Sequence, residues 1–199
     1  MELDRYQPGS IVYTMYNALM TSDGTTTHLI AGNWTEKGYR EGVGADVRFN
    51  DISGFSQLSE ERVIVTDSGN RCLRQIDRTT RSTSVFSGQC ESYGYQDGCP
   101  GKFNFPQSAL IDKKNENQLL ITDYFNAAVR TVDVMSQAAG TLVKSDSLQN
   151  IRYIAQEQKS GDLYVTAYHA VYRITYIQRT VTLISGSPGD NSGYRDGKL

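Results

Sequence analysis

Short apolar runs separated by turns rich in Gly, Asp, Asn and Ser recur along the whole chain and predict strands joined by tight connections rather than helices. The clearest is Val63-Ile64-Val65-Thr66-Asp67, then Ser68-Gly69-Asn70-Arg71, then Cys72-Leu73-Arg74-Gln75-Ile76-Asp77. It reads as strand, turn and strand. The pattern returns fifty-six residues later, in residues 119–133, with Asp67, Asn70, Arg74 and Asp77 reappearing as Asp123, Asn126, Arg130 and Asp133. Weaker copies occupy residues 163–174 and 11–20. The step Ser22-Asp23-Gly24 between β-branched runs marks a tight hairpin.

A second repeated element precedes the first. Gly38-Tyr39-Arg40-Glu41-Gly42, followed by Arg48-Phe49-Asn50, recurs as Gly94-Tyr95-Gln96-Asp97-Gly98 with Lys102-Phe103-Asn104, and again as Gly193-Tyr194-Arg195-Asp196-Gly197. Residues 147–154 replace this connection in the shorter third unit. Each full unit has room for about four strands, the content of one propeller blade. Gly42 and Gly98 are expected to need positive φ.

The succession Gly-Tyr-Xaa-Asp-Gly, Arg/Lys-Phe-Asn, Ile/Val-Thr-Asp-Xaa-Xaa-Asn-Xaa-Xaa-Xaa-Arg-Xaa-Ile/Val-Asp and Ser/Ala-Gly resembles the NHL-repeat family of β-propellers, from about Ile11 to Leu199. The resemblance implies an all-β ring of four-stranded blades, a central channel and two loop-bearing faces. On that scheme residues 1–32 form a partial first blade, 33–88 a second, 89–145 a third and 146–186 a shorter fourth, while 187–199 begin another. No inner strand is evident before Ile11, and the last motif announces an Arg-Phe-Asn strand that never comes. An incomplete ring with its closing strand missing is therefore expected: a fragment of a longer protein, with a strand-donating partner as the alternative.

Composition narrows the function. Thirteen Tyr and 18 Gly against 4 Pro suit strands and turns. Twenty basic against 22 acidic residues give a formal charge of −2, which argues against a nucleic-acid partner. No apolar run approaches the length of a membrane-spanning helix. No signal peptide is visible in Met1-Glu2-Leu3-Asp4-Arg5-Tyr6-Gln7-Pro8, an absence that the expected truncation accounts for.

The repeated Asp67 and Asp123 read as acceptors of backbone N–H groups in turns, Asn70 and Asn126 as left-handed turn residues, and Arg74 and Arg130 as partners of carboxylates between blades. His28 and His169 are the two histidines, and neither has a Cys or His at ligand spacing. The resembling family includes a metal-using amidating lyase, and calcium-dependent lactonases have related propellers. This chain lacks the several histidines of such a centre and any Gly-Xaa-Ser-Xaa-Gly elbow, so no catalysis, cofactor or metal is expected.

Cys90 and Cys99 flank one Gly-Tyr loop and are expected to form a disulfide worth about 2–3 kcal/mol, the alternative being free thiols. Cys72 is left as a small buried residue. Asn33-Trp34-Thr35 is an N-glycosylation acceptor triplet, which can also arise by chance. Together with the cysteines it points to an extracellular or cell-surface location. Tyr39, Tyr95 and Tyr194 repeat with the motif and are assigned to the crevice between blades. Tyr93, Tyr124, Phe125 and Tyr168 do not repeat and are the candidates for a binding face. The reading is a non-catalytic module that binds protein or glycan through loops on one face. Its rivals are a cytosolic RNA-binding propeller and a metal-dependent lyase or lactonase.

Overall fold

The computed structural model describes residues 1–189; the terminal Gly-Tyr motif, with Tyr194, lies outside them. Seventeen strands and three short 3-10 turns make up the described chain. The first sheet runs in the order β1 (Glu2–Leu3), β2 (Ile11–Met15), β3 (Ala18–Ser22), β4 (Thr27–Gly32). The second contains β5 (Gly42–Val43), β6 (Ile52–Gln57), β7 (Arg62–Asp67), β8 (Cys72–Asp77) and β9 (Ser82–Ser87), with the two-residue β5 added outside β9. The third comprises β10 (Pro106–Ile111), β11 (Gln118–Asp123), β12 (Ala128–Asp133) and β13 (Ala139–Lys144). The fourth comprises β14 (Ile151–Gln156), β15 (Leu163–Ala167), β16 (His169–Ile174) and β17 (Val181–Ser187). All neighbours are antiparallel, and the sheets are arranged as the blades of a four-bladed β-propeller, as the repeats predict.

The repeat is plainer in the backbone than in the side chains. Positive φ falls on Tyr16, Arg71, Ala127 and Tyr168 between the second and third strands of successive blades. It falls again on Asp51, Phe105 and Asn150 ahead of inner strands, and on Arg81, Gln137 and Arg179 between third and fourth strands. The left-handed residue of the β7–β8 and β11–β12 turns is thus Arg71 or Ala127, not Asn70 or Asn126, whose amides are needed for bonding.

Two strand expectations change. Glu2–Leu3 pairs with Ile11 and Val12, so the first sheet has a short inner strand that the apolar pattern was too brief to reveal. Phe49 and Phe103, expected within a strand, instead lie in connections with their rings fully buried. Phe49 joins Leu19, Ala31, Val63, Val65 and Ile76 in the core between the first two blades. Phe103 joins Ile64, Phe86, Leu119 and Ile121 in the next. Burial of a ring of this size contributes about 1.5–3 kcal/mol, which explains why Phe returns at this point of the repeat. Threonine hydroxyls link the blades as well, Thr66 Oγ1 donating to Gln107 O at 2.8 Å and Thr122 Oγ1 to Arg152 O at 2.6 Å.

The Gly-Tyr connection is a clasp. It precedes a blade's inner strand but reaches the same blade's outer strand: Gly42 pairs with Thr83 of β9, and Gly98 with Ala139 of β13. Both glycines have the positive φ expected of them, +152° and +105°. An added Cβ at Gly98 would meet no atom within 4 Å, so Gly98→Val isolates the backbone cost. It is expected to destabilise by about 1–2 kcal/mol in a urea titration, and an unchanged midpoint would deny that this φ matters.

Candidate functional site

The β2–β3, β7–β8, β11–β12 and β15–β16 turns share one end of the blades with the starts of the inner strands and the Gly-Tyr clasps. The buried charges sit directly beneath that face. Asp67 ends β7; its Oδ1 accepts from Asn50 N at 2.8 Å, and its Oδ2 from Asn70 Nδ2 at 2.8 Å and Arg74 Nη1 at 3.3 Å. Arg74 also donates to Arg48 O at 2.8 Å and Arg40 O at 3.0 Å, while Asn70 donates to Gly38 O at 2.8 Å. Asp123, Asn126 and Arg130 repeat the arrangement, with Arg130 reaching Lys102 O, Gln96 O, Gly140 O and the Asp97 carboxylate. The guanidinium of Arg74 lies between the rings of Tyr39 and Phe49, and that of Arg130 between Tyr95 and Phe103. Tyr39 and Tyr95 therefore cap arginines at the surface instead of filling a crevice between blades.

These pairs form within one blade, not between blades as expected, and strand register shows what they do. In the fourth blade, Ala167 and Tyr172 stand where Asp67 and Arg74 stand in the second. In the first, the same positions are Met15 and Met20. The fourth blade has no Gly-Tyr connection ahead of it. Asp and Arg thus occur together where there is a clasp to hold, and the Nη groups of Arg74 and Arg130 bond its backbone carbonyls as well as the buried carboxylates, while Arg74 Nε has no partner among the described residues. That is a fastening, not a reaction centre.

Burial pushes the Asp67 carboxyl up to about 6 against the lowering pull of Asn50 N–H, Asn70 and Arg74, and Asp123 shifts upward for the same reason. A folded-state value above the unfolded one gives stability that is complete below the ordinary carboxylate range and is lost as pH rises through about 6. Asp77 and Asp133 act oppositely: the N–H groups of Thr80 and Ser136 hold them low, so their contribution fades as pH falls below that range. Between about pH 4 and 6 the unfolding free energy is therefore expected to decline from the Asp67 contribution. Asp67→Asn should flatten that slope in denaturant midpoints measured across the window, and an identical slope in the variant would refute the assignment.

At the same end of the blades lies a groove of about 350 Å³, where the inner strands of the second, third and fourth blades begin, lined by Asp51, Ser53, Phe105, Gln107, Tyr124, Phe125, Arg152 and Tyr153. The 3-10 turn Tyr124–Asn126 sets its aromatic wall, anchored by Tyr124 N–H to Phe105 O at 3.3 Å and Phe125 N–H to Asn104 O at 3.1 Å. Phe105, Tyr124 and Phe125 meet edge to face, with centroids 4.7–6.2 Å apart, and Arg152 lies over the Tyr124 ring. Phe125 and Tyr153 remain 61% and 66% exposed, so an apolar surface is held rigid and open to solvent.

Of the sequence candidates, Tyr124 and Phe125 come together here. Tyr93 stands in the neighbouring clasp over Arg71, and Tyr168 hydrogen-bonds Gln149 on the fourth blade. Sequence reasoning missed Phe105, Arg152, Tyr153 and the exposed Tyr16, which occupies the turn position of Tyr168 in the first blade. Phe105 and Tyr16 carried a positional signal, each being the left-handed residue of its connection, whereas Arg152 and Tyr153 follow the left-handed Asn150 by two and three residues, within β14. His28 and His169 are exposed on different blades, and among the described residues no three His, Cys, Asp or Glu side chains gather at metal-binding distance.

The expected Cys90–Cys99 disulfide is corrected. Cys72 bonds Cys90, and Cys99 is free and exposed. Leu73 pairs with Ser87, which brings the start of β8 beside the chain leaving β9, whereas Cys99 adjoins Gly98 at the outer edge of the third blade. The clasp holds Cys90 and Cys99 at its opposite ends.

No protein-family model matches the chain, and no curated protein does. Solved structures match it. A chain in the crystal structure of a nidogen/laminin complex superposes with TM-score 0.63 at 11% identity, over 92% of this chain and 62% of that one. Virginiamycin B lyase from Staphylococcus aureus gives 0.60 at 11% identity, over 92% and 54%. An auxiliary nutrient binding protein from Bacteroides ovatus gives 0.57 at 18% identity, over 80% and 43%. The chain spans less than two thirds of the length of each of these β-propellers, which include binding proteins and a lyase, and what it shares with them is the propeller fold.

Proposed function

We propose that the chain is an NHL-type interaction module of the secretory route or cell surface, holding a protein or glycan partner against its turn-bearing face without chemistry of its own. The groove around Phe105, Tyr124, Phe125 and Tyr153 carries the reading. Rigid, partly exposed aromatics flanked by Arg152 and Asp51 offer contact area at small entropic cost and a polar rim for orientation. The Cys72–Cys90 disulfide supports an oxidising compartment. Neighbours of the same fold, in a nidogen/laminin complex and among nutrient-binding proteins, supply precedent for binding.

The test screens the purified chain against arrayed glycans and displayed extracellular proteins, beside two variants. Phe125→Ser/Tyr153→Ser removes the aromatic surface, whereas Met135→Ser alters an exposed residue in the β12–β13 turn at the other end of the blade. Any partner of the wild type is expected to lose about tenfold or more in affinity with the first variant and to keep it with the second. Equal binding by the first, or loss confined to the second, would move the site off this face.

A further inference from the structure

We propose that Asn33 is an N-glycosylation acceptor, presented by a local turn on the same end of the blades as the aromatic groove. Asn33 directly follows β4, and its backbone N–H bonds Asn17 O at 3.1 Å, fixing where the connection begins. Its side-chain Oδ1 accepts three bonds: from Thr35 N at 2.9 Å, Thr35 Oγ1 at 2.8 Å and Glu36 N at 3.2 Å. Its Nδ2 donates to nothing among the described residues, and Trp34, Thr35 and Glu36 are exposed. Asn70 and Asn126 show the contrast, since their Nδ2 groups are committed to Asp67 and Gly38 O, and to Asp123 and Gly94 O.

The arrangement suits the chemistry of amide glycosylation. Donors on Oδ1 stabilise the negative charge that gathers on oxygen as Nδ2 gives up a proton. With a lipid-pyrophosphate-linked oligosaccharide as donor and a transferase acting in trans, a bond forms from Nδ2 to the anomeric carbon. The bond from that carbon to the phosphate oxygen breaks, the lipid pyrophosphate leaves with the electron pair, and the one proton lost from Nδ2 passes to a carboxylate base of the transferase. The three bonds span only two or three residues, so the turn does not depend on the propeller and can form while the chain is still being made. A glycan here stands where the first blade leads into the second, at the groove's end of the blades, and Asn33 is not among the groove's lining residues.

The full chain, translated behind a cleavable signal peptide into glycosylation-competent microsomes, tests this. Peptide mapping after treatment with an amide-cleaving glycanase reads occupancy on denatured chains, so a variant that folds poorly is still scored. Wild type and Thr35→Ser are expected to carry a glycan at Asn33, seen as conversion to Asp by the glycanase; Asn33→Gln and Thr35→Ala are expected to carry none. An unmodified Asn33 in the translocated wild type, or a glycan retained by Thr35→Ala, would overturn the assignment.

Discussion

Arg130→Met is expected to lower the unfolding free energy by about 3–5 kcal/mol, because it strands a buried carboxylate and leaves clasp carbonyls without donors. Asp123 and Arg130 are both fully buried, and their 3.0 Å contact is one of several that the guanidinium makes. Removing the cation leaves Asp123 charged or forces it to take up a proton, and frees Lys102 O and Gln96 O of their partner. The double variant Asp123→Ala/Arg130→Met should recover part of the loss, since the first and fourth blades hold apolar or aromatic pairs at these positions. It should not recover all of it, because the clasp is still present. Arg130→Lys is expected to fall between, keeping the charge but not the fork that reaches several acceptors at once. Chemical unfolding followed by circular dichroism decides the matter; a loss under about 1 kcal/mol for Arg130→Met would reduce the pair to an ordinary surface contact.

Cys90→Ser is expected to cost about 3 kcal/mol, the loop-closure contribution of a crosslink of this span, whereas Cys99→Ser should stay within about 0.5 kcal/mol. The bridge closes 18 residues of sequence and joins the third strand of the second blade to the connection entering the third. Its loss therefore loosens the junction between two blades and not merely a loop. A peptide map under non-reducing conditions should show Cys72 linked to Cys90 and one alkylatable thiol at Cys99. A Cys90–Cys99 peptide in that map would restore the pairing suggested by sequence proximity and remove the reason for the difference between the two variants.

That pairing illustrates what the amino-acid string does and does not disclose. Strand order, the hairpins and the fifty-six-residue period were legible because each rests on local alternation and turn chemistry repeated in register. The Asp and Arg of the repeat were legible as structural, but not as partners within one blade, because Asp67 and Arg74 meet across an antiparallel pair whose register no local signal prints. Cys72 and Cys90 were hidden in the same way. Glu2–Leu3 was too short to alternate. The aromatic groove was half visible: Tyr124 and Phe125 stood out as unrepeated, but Phe105 followed directly on the Lys-Phe-Asn motif and Tyr153 lay in the residues that replace the Gly-Tyr connection. Its assembly depends on three blades converging, and convergence is a property of the ring.

The clasp also sets how such a blade comes apart. In an unclasped sheet the outermost strand can peel away one hydrogen-bonded pair at a time, and local opening begins at that edge. In the second and third blades, the segment that leads into the innermost strand is hooked on the outermost one through Gly42 and Gly98 and pinned from below by Arg74 and Arg130. The outer edge cannot fray there without dislodging the lead-in to the inner edge, so those two blades tend to open as whole units. Among the described residues the fourth blade has no such tether, so its last strand is expected to open first there.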